Sequence, residues 1–91
     1  MSCCSYTIGT IVDISDIMNQ PYKFITIDKV PGDIYTYTRL VYSEETIILD
    51  HEYNEIGVED LKVGDTVVAF HSNAMTMSIP PQTSVFIIEV K

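Results

Sequence analysis

Apolar and polar positions alternate with a period of two over most of the chain. In residues 6–14, Tyr6, Ile8, Val12 and Ile14 share one parity, with Thr10 between them and Gly9 at a candidate bulge, which predicts a half-buried strand. After Asn19-Gln20-Pro21 the pattern resumes over residues 22–30, where Ile25 and Ile27 oppose Phe24 and Thr26. Pro31-Gly32-Asp33 then predicts a type II turn, because proline presets φ and glycine accepts the positive φ that follows. Residues 34–42 form a third predicted strand, with Ile34, Leu40 and Tyr42 on one face and Tyr35, Tyr37, Arg39 and Val41 on the other. A shorter strand is expected over 46–49 and one helical turn at Val58-Glu59-Asp60-Leu61. A tight turn is expected at Leu61-Lys62-Val63-Gly64-Asp65, with Gly64 free to take positive φ. Strands at 66–71 and 84–90 complete the pattern. The expectation is a single all-β domain over residues 1–91, a small five- or six-stranded antiparallel barrel. Its arrangement should be OB-like, since closure removes most exposed edges.

Composition narrows the partners. A chain of 91 residues buries roughly 60–65% of its unfolded surface, enough for one core and not for a second lobe over a deep cleft. Thirteen Asp and Glu against five Lys and Arg leave a net charge of −8. Nucleic acid is therefore an unexpected partner, because affinity for phosphate backbones rests on bases and only Lys23, Lys29, Arg39, Lys62 and Lys91 are available. The same balance disfavours anionic membranes. No basic start followed by an apolar run occurs, and no window approaches the ~18 apolar residues of a membrane span, so a cytoplasmic location is expected. Cys3 and Cys4 are adjacent and without further cysteines, which leaves no disulfide framework. A metal or redox role for that pair competes with a frayed terminus.

The charge is also unevenly distributed. Glu44, Glu45, Asp50, Glu52, Glu55, Glu59, Asp60 and Asp65 crowd into one stretch with Lys62 as its only base. The stretch lacks the ligand spacing of a calcium loop and reads as a solubilising surface. Residues 66–88 then contain no Asp, Glu, Lys or Arg. Part of that run is core strand. The remainder, residues 71–84, is loop-like yet uncharged, which predicts either a plug over the barrel mouth or an apolar surface for a partner. Its candidate ligand or partner residues are Met75, Met77, Ile79, Pro80, Pro81 and Gln82, with Pro80-Pro81 stiffening the segment.

Two chemistries compete at this segment. Met75 and Met77 lie at i and i+2, where their thioethers suit Cu(I) or Ag(I), and a histidine, His71 or His51, would supply a further donor. Against this, methionines commonly fill irregular apolar gaps. Catalysis is not expected. Asp50-His51-Glu52 would place its histidine opposite its carboxylates on a strand, and the four glycines form no phosphate loop. Tyr35 and Tyr37 on one strand face could stack bases, or pack across strands.

Met75-Thr76-Met77 followed by Pro81-Gln82-Thr83 is similar to the Met-Thr-Met and Pro-Gln-Thr of the periplasmic copper/silver chaperone family. Those proteins are small OB-fold barrels that bind Cu(I) or Ag(I) through two methionines, a histidine and a tryptophan. The resemblance implies metal binding through Met75, Met77 and a histidine; this chain has no tryptophan. A broader resemblance, over roughly residues 46–90, rests on Leu61-Lys62-Val63-Gly64-Asp65-Thr66-Val67-Val68-Ala69 and on Ala74-Met75-Thr76-Met77-Ser78-Ile79-Pro80-Pro81-Gln82. There the chain looks like a small uncharacterised β-barrel domain of Gram-positive Firmicutes, which implies the fold and no activity. The reading is thus a non-catalytic module without a cofactor. Its segment 71–84 would bind another protein or a second copy of the chain, with soft-metal binding as the alternative.

Overall fold

The computed structural model describes residues 4–16, 22–30, 32–77 and 80–91. Cys3, Asn19-Gln20-Pro21, Pro31 and Ile79 lie outside them. The described residues form seven strands: β1 (Cys4–Asp16), β2 (Lys23–Asp28), β3 (Thr38–Tyr42), β4 (Ile47–Leu49), β5 (Glu55–Ile56), β6 (Thr66–Ser72) and β7 (Gln82–Val90). No helix among the described residues is long and apolar enough to cross a membrane.

β1 is the hub. Its residues 4–10 pair antiparallel with β6, and its residues 10–16 pair antiparallel with β2. β2 pairs with β3, β6 pairs with β7, and the ring closes where β3 runs parallel to the start of β7, Leu40 opposite Thr83. The result is a closed five-stranded barrel of β1, β2, β3, β7 and β6, with OB-like connectivity. Its ladders are antiparallel except at this closure and where β4 joins β7, also in parallel. Because β3 takes only residues 82–84, the same edge of β7 remains open further along, and β4 fills it at residues 87–89 with β5 outside it.

Ile11, Ile25, Ile27, Leu40, Val67, Ala69 and Ile88 fill the barrel with no solvent exposure, joined by Ile48, Leu61 and Val85. For β2 and the second half of β3 this is the face that the alternation predicts.

β1 differs from expectation. Thr7, Gly9 and Ile11 point inward, while Tyr6 and Ile8 point outward. A bulge between Ile11 and Asp13 then resets the phase, so that Ile14 packs against the core. The expected bulge at Gly9 is not there. Gly9 instead lies where β2 crosses closest: a Cβ on it would stand 2.2 Å from the Asp28 carbonyl oxygen.

The third strand also begins later than predicted, because residues 34–36 form a 3-10 turn. Side-chain bonds favour this local alternative. Asp33 Oδ1 accepts the Tyr35 N–H (3.0 Å), and Thr36 Oγ1 accepts the N–H groups of Lys29 and Val30 (3.2 Å each). The preceding turn has Gly32 at φ +81° and is closed by Asp33 N–H to Val30 carbonyl (3.0 Å). The helical turn at Val58–Asp60 and the positive φ of Gly64 (+102°) follow expectation. β5, with two residues, was too short to predict.

Gly9→Ala is expected to destabilise the fold by about 1–3 kcal/mol, because the atom it meets is backbone and one of two core strands must shift. Urea unfolding of the variant against the parent checks this.

Candidate functional site

The β6–β7 connection, residues 73–81, leaves the barrel at the end where β1 and β7 begin. In an OB-like barrel this is the loop between the last two barrel strands, one of the places where such folds hold ligands.

Its base is anchored by a polar network inside the barrel. His71 is 2% exposed, with Nδ1 2.9 Å from the Ser72 carbonyl and Nε2 2.8 Å from Thr7 Oγ1. A carbonyl only accepts, so Nδ1 carries a proton, and the Thr7 hydroxyl is the partner of Nε2. The Thr83 hydroxyl bridges the carbonyls of Ser72 (3.0 Å) and Ala74 (2.9 Å). Higher up, Thr76 N–H donates to the Gln82 carbonyl (2.9 Å) and Gln82 N–H to Thr76 Oγ1 (3.0 Å). Pro81 is tied to β3 through its carbonyl, which accepts the Arg39 N–H (2.9 Å). Ser5 reaches the loop through Asn73 Oδ1.

On this frame residues 73–77 are all exposed, Met77 completely (101%) and Met75 at 40%. Pro80, Pro81 and Gln82 are half-buried. The candidate partner residues therefore divide into an exposed tip and a seated base.

The candidate metal donors are dispersed. His71 faces the barrel interior with both nitrogens engaged. His51 is exposed in the β4–β5 turn beside Glu52, 3.5 Å away. His71 pairs with Val85, whereas Leu49, two residues before His51, pairs with Glu89. Four residues of strand are ~13 Å, so the histidines lie toward opposite ends of the barrel. Among the described residues no three His, Cys, Asp or Glu side chains are grouped to hold a metal ion.

The outer side of β2 and β3 carries features that sequence reasoning missed. The Arg39 guanidinium lies 5.0 Å from the centre of the Phe24 ring, a cation–π contact between a base and an aromatic on neighbouring strands. Beside it is a cleft of about 420 Å³ lined by Tyr22, Val41, Ser43, Glu44, Glu45 and Ser84. Lys23 is ion-paired with Asp16, and Tyr35 projects from the 3-10 turn at 91% exposure rather than sharing a strand face with Tyr37. The parity of Phe24 and Arg39 was visible in the sequence; their register across the β2–β3 ladder was not.

Asp50 organises the far end. Its Oδ1 accepts the backbone N–H groups of Asn54 (2.9 Å) and Glu52 (2.8 Å), and Tyr53 beside it takes a left-handed φ of +65°. The bond from Asn54 is the main cause holding the Asp50 carboxyl below its ordinary value of 3.8.

The chain matches no family model, no curated protein and no solved structure. Fold and geometry alone define it as an OB-like barrel.

Two outcomes follow. Thr7→Val removes the partner of a buried ring nitrogen and is expected to cost about 1–3 kcal/mol, with amide exchange rising first in residues 71–76. Because the folded-state pKa of Asp50 is depressed, its stabilisation of the β4–β5 turn is complete above the ordinary carboxyl pKa and is lost as pH falls through the folded value. NMR titration of the Asp50 carboxyl and the Asn54 amide should follow one curve centred below 3.8.

Proposed function

We propose that this protein is a non-catalytic protein-interaction module that presents residues 73–77 to a partner protein. One observation carries the reading: an uncharged loop with two exposed methionines is anchored at its base by bonds from His71, Thr83 and Gln82. A pre-ordered apolar tip loses little entropy on docking, and methionines adapt to varied surfaces. The charges near the OB-type ligand face support a protein partner over a nucleic acid, since Glu44 and Glu45 line its cleft and Lys23 is neutralised by Asp16.

A photo-crosslinking residue at position 77, compared with one at the also exposed Val63 (63%), tests the reading in cells. A discrete adduct from position 77 alone is expected, and it should vanish with Met75→Asp. Identical adducts at both positions, or none, would reject it. Titration with Ag(I) gives a second check: a tight site lost in Met75→Ala/Met77→Ala would replace the protein-docking reading with soft-metal binding.

A further inference from the structure

The outside of the barrel on the β1–β6–β7–β4 side is apolar in register. Tyr6 on β1 stands opposite Phe70 on β6, Phe70 opposite Ile87 on β7, and Ile87 opposite Ile47 on β4. Partners in a ladder point to the same face, so the four side chains form one row across four strands. The Tyr6 and Phe70 rings lie 6.1 Å apart. The next row reads Ile8, Val68, Glu89 and Leu49, and ends at Glu55 on β5, with Val68 itself buried beneath its neighbours at 7% exposure. The bulge opposite Phe70 leaves Phe86 outside as well, 44% exposed.

Tyr6 (65%), Ile8 (53%) and Ile47 (43%) are likewise exposed to solvent. With Phe86 they expose on the order of 400 Å², within the size range of the largest, often functional, patches on monomeric proteins. None of these side chains contributes to the core cluster, so burial inside the barrel does not explain their character.

The charge around the rows selects the occupant. Glu89 sits among apolar neighbours and makes no ion pair among the described residues; Glu55 closes the same row. Glu52 follows β4 in the turn that leads to Glu55. A base, Lys91, lies just past the end of β7, its N–H on the Thr66 carbonyl. A second copy of the chain would bring these carboxylates against their own kind. We propose that this face docks a partner polypeptide with an apolar stripe flanked by lysines or arginines, whose cations meet Glu89 and Glu55. The proposal is independent of the β6–β7 loop reading, which uses other residues.

The test titrates the isotope-labelled full chain with three synthetic peptides: alternating Leu–Lys, alternating Leu–Glu, and Lys–Ser of the same positive charge. Saturable binding of Leu–Lys is expected, with NMR shifts at Tyr6, Phe70 and Ile87 and affinity at least about tenfold above either control. Tyr6→Ser/Ile47→Ser should reduce it by about tenfold, while Glu89→Gln, which keeps the shape of the face, should weaken it and flatten its salt dependence. Met75→Asp should leave it unchanged, which separates this face from the loop. Equal binding of Lys–Ser, equal binding of Leu–Glu, or shifts confined to residues 73–77 would overturn the proposal. So would dimerisation of the free chain that Tyr6→Ser abolishes, which would make a second copy the occupant.

Discussion

One strand serves two neighbours in succession, and the barrel exists because it can. β1 gives residues 4–10 to β6 and residues 10–16 to β2, so it must turn from one wall of the barrel into the next within a few residues. Two local features permit this. Gly9 lets the Asp28 backbone pass where a side chain would collide, and the bulge after Ile11 adds the extra residue that bends the strand. The bend is held from the other side by the 61–65 turn: Ile11 N–H donates to the Asp65 carbonyl and Gly64 N–H to the Ile11 carbonyl, 2.8 Å each. The position of β6, and with it the root of the β6–β7 loop, follows from that geometry.

The fold was legible wherever inward positions are apolar. Ile25, Ile27 and Leu40 alternate cleanly and are fully buried, so β2 and the end of β3 could be read directly. β1 was misread because its inward positions are Thr7 and Gly9, chosen for a hydrogen bond and for closeness, while its conspicuous Tyr6 and Ile8 face solvent. Parity identifies a strand but does not say which side is the core. The 34–36 turn was missed for a different reason: Asp33 and Thr36 compete with the ladder through bonds that hydrophobic pattern ignores.

The candidate site was legible in part. Absence of charge marked residues 71–84, and the exposed tip at Met75 and Met77 lies within them. The anchoring was not legible, because it depends on Thr7 reaching His71 from a strand far away in sequence. A histidine next to methionines invites a metal reading; its ring nitrogens are instead spent on Ser72 and Thr7.

The β4–β5 hairpin has a consequence for association. A barrel closed by a three-residue parallel contact leaves half of one strand edge unpaired, and unpaired edges are where chains add to one another indefinitely. Here that half-edge is taken by β4, and the next edge outward is a two-residue strand bearing Glu55. Backbone pairing at this edge is thereby confined to two residues, and any association is left to side chains rather than to backbone, which pairs with almost anything.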